Sequence, residues 1–375
     1  LLERCGPVNR GETVHLSAAR GRVLSEDVTS PANLPGFNRA AMDGYAVCSG
    51  DERATYRVIE VVPAGKTPTV PLEAGYATKV MTGAPVPEGA GKVIMVEDTD
   101  QGESTVAVSA HRGSTNICPK GEDVRKGDII MRAGTRLDAH DLANLIACGI
   151  TEVAVRRKIR VAIYATGDEI VDRFEQLTPG TIMNSNGPML AALACENGLD
   201  IVRCEQVGDN PALLLAAIQR AAGEADLLLL SGGVSAGDFD YVPGALEAAG
   251  FELHFHAVSV KPGRPLTFGL TSECAALGMP GNPVSVFLTF HLHARRVAAL
   301  LAGATFEPRA YSVVLGADFA QRRAGRTTFV PCRIGGDGTA EPLSYHGSAH
   351  LLALGEADGF LEIPRGVKKI QRGGE

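Results

Sequence analysis

The chain has 375 residues, a formal net charge of −7, and is 45% hydrophobic and 21% charged. That is enough apolar material to exclude global disorder, and at roughly 100–200 residues per domain the length corresponds to two to four domains. The acidic balance, without a run of about five Lys/Arg, excludes a non-specific nucleic-acid binder, and the lack of an apolar run of about 18 residues argues against a membrane span.

Residues 12–29 are expected to form a helix and a turn into an extended segment, broken by the Pro/Gly-rich stretch 31–36. Short β-rich runs follow, at Tyr56–Val62, Ala77–Met81, Lys92–Val96 and Thr105–Val108, and predict a small β-domain. Residues 138–149 predict an amphipathic helix, with Leu142, Leu145 and Ile146 on one face and Gly149 as its C-cap. This gives domain I at 1–30 and 129–156, with a β-rich domain II inserted at 31–128. The basic group Arg156-Arg157-Lys158 then reads as a solvated joint.

From Ile159 the pattern changes to alternating strands and helices: strands at 159–164, 201–207, 226–230, 255–260 and 274–279, and helices at 188–196, 211–222, 241–249 and 283–301. Near-continuous apolar strands of this kind predict a mostly parallel sheet covered on both faces, domain III at 157–303. Domain IV, 304–375, returns to β-like runs at 311–315, 327–332 and 360–364.

In such a sheet the strand ends carry the ligands. Four turn-rich loops fall on one edge: Ala165-Thr166-Gly167-Asp168-Glu169, Ser231 to Asp240, Lys261-Pro262-Gly263-Arg264-Pro265, and Pro280-Gly281-Asn282-Pro283. Ser231-Gly232-Gly233 offers backbone N–H groups to phosphate oxygens. Asp168, Glu169, Asp238 and Asp240 would repel a phosphate unless a divalent cation such as Mg²⁺ mediates. Lys261 and Arg264 supply positive charge, and Pro280 to Pro283 leads into a helix start that favours anions. No nicotinamide-type G-x-G-x-x-G, P-loop or G-x-S-x-G elbow occurs. His254 and His256 share a strand face, His291 and His293 lie about 200° apart on a helix, and His346 and His350 share a face only if that segment is helical. None of these pairs reads primarily as a metal site. The eight scattered cysteines form no C-x-x-C pair and read as reduced, mostly buried thiols of a cytoplasmic protein.

The string Leu34-Pro35-Gly36-Phe37-Asn38-Arg39-Ala40-Ala41-Met42-Asp43-Gly44-Tyr45 resembles the signature of the molybdopterin molybdenumtransferases, the MoeA and gephyrin E-domain family. Met81 to Pro85, Glu97-Asp98, Asn116-Ile117, Gly121 to Asp123, Thr166 to Glu169, Asn184-Ser185-Asn186, Ser231 to Tyr241, Lys261 to Pro265 and Pro280 to Ser285 resemble further family segments in the family order, from about Glu12 to Pro364. The resemblance implies a four-part fold with a molybdopterin-binding α/β domain, an inserted β-domain and a β-barrel-like C-terminal domain. It implies a homodimer with a shared cleft, supplied by a molybdopterin adenylyltransferase upstream. The implied reaction inserts molybdate, or equally tungstate, into adenylylated molybdopterin with Mg²⁺ and releases AMP.

Carried over residue by residue, Asp43, Thr82, Glu169, Asp209 and Asp240 are the implied catalytic set, with Glu169 and Asp240 on the metal. Gly167, Asp168, Ser231, Gly232, Gly233, Ser235, Lys261, Arg264, Pro280, Gly281, Asn282, Pro283 and Lys120 are the implied substrate-binding set. The chain departs from the family at Ala165, where Ser is frequent, at Arg39-Ala40, where Asn and Ser are, and at Arg296, where Pro is. Cys118 stands where Arg is common, so a positive charge is expected to be missing there unless Lys120 substitutes. The same α/β domain also occurs in molybdopterin adenylyltransferases and CinA-like pyrophosphatases, and a purely scaffolding role is the rival of another class.

Overall fold

The structure, a computed structural model, describes residues 6, 8, 10–234, 241–306, 308 and 310–374. The expected helix at 12–29 is a strand, Gly11–His15, followed by one 3₁₀ turn, Leu16–Ala18. The strand pairs antiparallel with Glu152–Arg156 from the far side of the insertion, and Leu16, Leu24, Leu145 and Val155 bury together. Long-range pairing of Thr13 and Val14 thus overrides the local helical pattern. The helix Ala139–Ala147 forms as expected, closed by an Asp138/Asp141 capping box. Gly149 follows its C-cap Cys148 with φ +81, and Ile146, placed on the core face by sequence, is 60% exposed.

The inserted unit is a five-stranded sheet in the order Ala90–Met95, Gly44–Cys48, Tyr76–Val80, Thr55–Val62, Thr105–Ala107. Gly44 lies against the Ile94 carbonyl, where a Cβ would come within 1.9 Å, so the residue after Asp43 has to be glycine. That close approach fixes the position of Asp43 at the sheet end.

The α/β unit contains β1 (Arg160–Thr166), α1 (Asn186–Glu196), β2 (Asp200–Val207), α2 (Pro211–Glu224), β3 (Leu227–Ser231), α3 (Val242–Ala248), β4 (Glu252–Ala257), β5 (Pro265–Leu270), β6 (Ala275–Met279) and α4 (Pro283–Leu301). Its sheet order is β2-β1-β3-β6-β5-β4. The first four strands are parallel; β5 is antiparallel to both β6 and β4, so β4 again runs with the parallel set. Along β1 and β3 the side chains alternate. Val161, Ile163, Leu227 and Leu229 pack under α1 and α4, while Ala162, Tyr164, Leu228 and Leu230 pack under α2 and α3. The strand expected at 255–260 instead spans Glu252–Ala257 and turns back into β5, which sequence reading left out. The antiparallel return leaves the loop after β4 on the same edge as the loops after β1, β3 and β6.

Helix α4 carries a π-helical turn at Phe290–Ala294. By length and composition it passes for a membrane span, but half of it is buried inside the protein, and Val286, Phe290 and Ala294 join the sheet core.

The joint at 156–158 is not solvated as expected. The Arg157 guanidinium grips Asp226, which is 2% exposed, through two bonds of 2.6 and 2.7 Å, and Arg160 adds its backbone N–H at 2.8 Å. Burial alone would raise the Asp226 carboxyl pKa; the two arginines outweigh it and hold it below the usual range.

At the C-terminal end, Thr327–Ile334 pairs with Ala340–Pro342 and Gly359–Ile363, and Phe319–Ala320 pairs with Lys369–Ile370. Among the described residues these pairs do not close into a continuous barrel. The segment 311–315 makes a single bridge, Leu315 to Ala340, rather than the expected strand. Thr327 and Thr328 also pair with Val260–Lys261 in the loop after β4, so the C-terminal unit is stitched to the α/β edge.

Candidate active site

The edge loops meet as expected, each fixed by its neighbours. Gly167 (φ +143) sits beneath the Glu169 carboxylate. Asp168 Oδ1 accepts the Asp209 N–H at 2.9 Å, and Asp209 Oδ2 accepts the Asp168 N–H at 3.3 Å, so the loops after β1 and β2 are reciprocally locked. Glu169 is exposed; its carbonyl accepts the Ile182 N–H at 2.7 Å, while its carboxylate makes no hydrogen bond or ion pair with any described residue. After β3, Gly232 (φ +99) leaves room for the Thr166 carbonyl, which a Cβ would approach to 2.6 Å. Ser231, expected to touch substrate, is 1% exposed. Its carbonyl accepts from Thr166 Oγ1 at 3.2 Å and its Oγ from Asn186 Nδ2 at 2.7 Å, so it builds the loop from within. Ser235, Asp238 and Asp240 lie outside the described residues.

Lys261 and Arg264 are exposed, and neither pairs with a described acidic residue. Gly263 packs on Thr289 of α4, which directs this loop along the helix. The helix start after Pro280-Gly281-Asn282-Pro283 is less open to anions than its sequence suggests. Pro283 has no N–H, the Val284 N–H donates to the Ser348 carbonyl at 3.0 Å, and Asn282 Nδ2 reaches Ser348 Oγ at 2.8 Å. The C-terminal unit therefore caps this helix, a role that sequence reading gave to no residue.

A divalent cation takes oxygen ligands, and Glu169 presents an uncommitted carboxylate of the right kind at the right edge. Among the described residues no three acidic, His or Cys side chains converge as a metal cage. The histidine pairs build none either. His254 tilts over Phe268, His256 is exposed, and His346 and His350 stack with ring centroids 5.1 Å apart.

Asp43 and Thr82 meet at the end of the inserted sheet. Asp43 Oδ1 accepts the Thr82 N–H at 2.6 Å and the Thr82 hydroxyl at 2.7 Å. These two donors, the backbone one foremost, hold the Asp43 carboxyl below the usual carboxylate range. Phe37 and Met42, in the segment leading to Asp43, are exposed apolar side chains. Among the described residues no hydrogen bond or ion pair joins residues 31–128 to the α/β unit.

A positive charge from another residue stands beside Cys118. Arg39 lies directly across the strand pair, and its guanidinium reaches Cys118 Sγ at 3.8 Å. The Cys118 thiol donates to Glu122, which pushes its pKa up and keeps it protonated. Lys120 is exposed, with its backbone N–H held by Asn38 at 2.8 Å.

Three family models match the chain: the MoeA N-terminal region (domain I and II) over residues 1–149, the probable molybdopterin binding domain over 162–302, and the MoeA C-terminal region (domain IV) over 312–375. A molybdopterin molybdenumtransferase 2 of Mycobacterium tuberculosis is 33% identical over 100% of this chain and 95% of its own length. The molybdopterin molybdenumtransferase of Staphylococcus epidermidis is 31% identical over 96% of this chain and 88% of its own. The crystal structure of the molybdopterin biosynthesis MoeA protein from Pyrococcus horikoshii superposes with a TM-score of 0.85 at 32% identity, covering 100% of this chain and 95% of that one. Matches on both sides of the α/β unit set the chain apart from proteins that hold the α/β domain alone. The chain belongs to the MoeA family and is an enzyme of molybdenum cofactor biosynthesis, a molybdopterin molybdenumtransferase.

Proposed function

We propose that the α/β edge binds adenylylated molybdopterin and that the enzyme inserts molybdate with release of AMP. One observation carries this reading. Loops from β1, β3, β4 and β6 fall on one edge of the sheet, and there the carboxylate of Glu169 and the side-chain cations of Lys261 and Arg264 pair with no described residue. The Gly232-Gly233 turn approaches the ligand without side chains, and Lys261 and Arg264 neutralise its phosphates. Asp168 and Asp209 fix the loop that carries Glu169. Glu169 and Asp240 would hold Mg²⁺, which when bound would supply charge neutralisation to the phosphate-bearing substrate. Pro280 to Pro283 shapes the far wall.

Asp43 and Thr82 complete the site from a second subunit of a homodimer. Exposed Phe37 and Met42 in the segment leading to Asp43, which no hydrogen bond or ion pair among the described residues links to its own α/β unit, support that reading. A molybdopterin adenylyltransferase supplies the substrate, in the cytoplasm. The test is to incubate the protein with adenylylated molybdopterin, Mg²⁺ and molybdate and to measure AMP. Asp43→Ala and Asp240→Ala subunits are each expected to be inactive and, once exchanged, to recover activity by assembling one intact cleft. Absence of AMP from the wild type refutes the reaction; absence of recovery after verified exchange refutes the shared cleft.

A further inference from the structure

Asn186, the first residue of α1, is 7% exposed and stands between two loops that must stay together for the edge to bind anything. Its Nδ2 donates to Ser231 Oγ at 2.7 Å, at the end of β3, and to the Gly281 carbonyl at 2.6 Å, after β6. Both amide hydrogens are thereby used, and the orientation is dictated by Gly281, whose carbonyl can only accept. The consequence is a buried Oδ1 without a hydrogen-bond partner among the described residues. Native proteins rarely leave such an acceptor unpaired, and a residue selected for stability alone would not. The two loops it joins are in contact: a Cβ at Gly281 would lie 3.7 Å from Gly232 Cα.

We propose that Asn186 is a positioning residue for the substrate. Its amide straps the Ser231-Gly232-Gly233 turn to the Pro280-Gly281-Asn282-Pro283 loop and so sets the spacing of the groups that hold the adenylylated pterin. The inference rests on the function proposed above only for the identity of that ligand. The strap acts in the ground state and the transition state alike, so its loss appears in KM.

Two variants test it. Asn186→Ala removes the strap; Asn186→Asp keeps the shape but turns an oxygen toward the Gly281 carbonyl. The expected result is a rise of about tenfold or more in KM for adenylylated molybdopterin, with kcat within about threefold of wild type. Amide exchange at Gly232 and Val284, which bond to Met279 and Ser348, should accelerate while exchange at Tyr45 and Ile94 stays unchanged. Unchanged KM and unchanged exchange at those two amides overturn the proposal. So does faster exchange throughout the α/β unit with kcat lost, because that marks a general structural role. The exchange measurement needs no substrate, so an inactive wild type would refute the proposed reaction while the strap is still judged on its own.

Discussion

The Asp43–Thr82 contact gives a quantitative test of the inserted domain's part in the chemistry. Thr82→Val removes the hydroxyl donor at 2.7 Å and keeps the backbone donor at 2.6 Å. A hydrogen bond to a charged acceptor is worth roughly 1.5–3 kcal/mol, and exposure of both residues screens that to about 1 kcal/mol. If an ionised, oriented Asp43 is needed for turnover, kcat/KM falls about fivefold. The sign of the pH effect follows from the same bonds. Both donors lower the Asp43 pKa, the backbone one more, so losing the hydroxyl moves it part of the way back up. The acid limb of the kcat/KM profile should therefore shift to higher pH, and Thr82→Ser should restore it. An unmoved acid limb in Thr82→Val, or a Thr82→Ser enzyme as impaired as the valine variant, refutes the reasoning.

Breaking the joint at Asp226 leaves Arg157 without its acceptor; Asp226→Ala should cost about 3 kcal/mol, at the low end for a buried pair because Arg157 keeps some access to water. Denaturant titration of the α/β transition checks this. Burial, with Arg295 and Arg296 nearby, lowers the pKa of His291 and of His293, so both are neutral in the native state. The unfolded chain takes up protons first as pH falls through about 6.5, so stability is full above that pH and declines below it; His293→Gln should flatten that decline in unfolding curves at about pH 7.5 and 5.5. At the Arg39–Cys118 pair, Arg39→Gln should raise the molybdate concentration for half-maximal turnover several-fold at low salt, with the difference shrinking as salt is added. Cys118→Arg should bring no gain and should lower the melting temperature by setting two guanidinium groups across one strand pair; improved molybdate use in that variant would overturn this account.

The parallel core was legible because its information is local. Leu227 to Leu230 bury on both faces, and that dictates an unbroken apolar run. The strand-end loops were legible for the same reason, since turn chemistry is written in adjacent residues. Gly11–His15 was misread because its partner lies some 140 residues away, and β5 because its pairing depends on where β4 turns. Asn186 was visible as a motif residue but carried no role, since its function is to touch two loops distant in sequence.

The Cys118 site shows what a single position read alone leaves out. Cys118 and Arg39 are separated by most of the inserted domain, yet they face each other across one antiparallel pair. The same block carries the proposed catalytic residues: Ala40 exchanges backbone hydrogen bonds with Gly83 and Ala84, immediately after Thr82, and Thr82 holds Asp43. A guanidinium contributed from position 39 therefore stands on the same strand pair as one from position 118 would, within the block that also carries the Asp43–Thr82 contact. The charge beside Cys118 is legible only through that pairing, because the partner that carries it, Arg39, lies on the other strand.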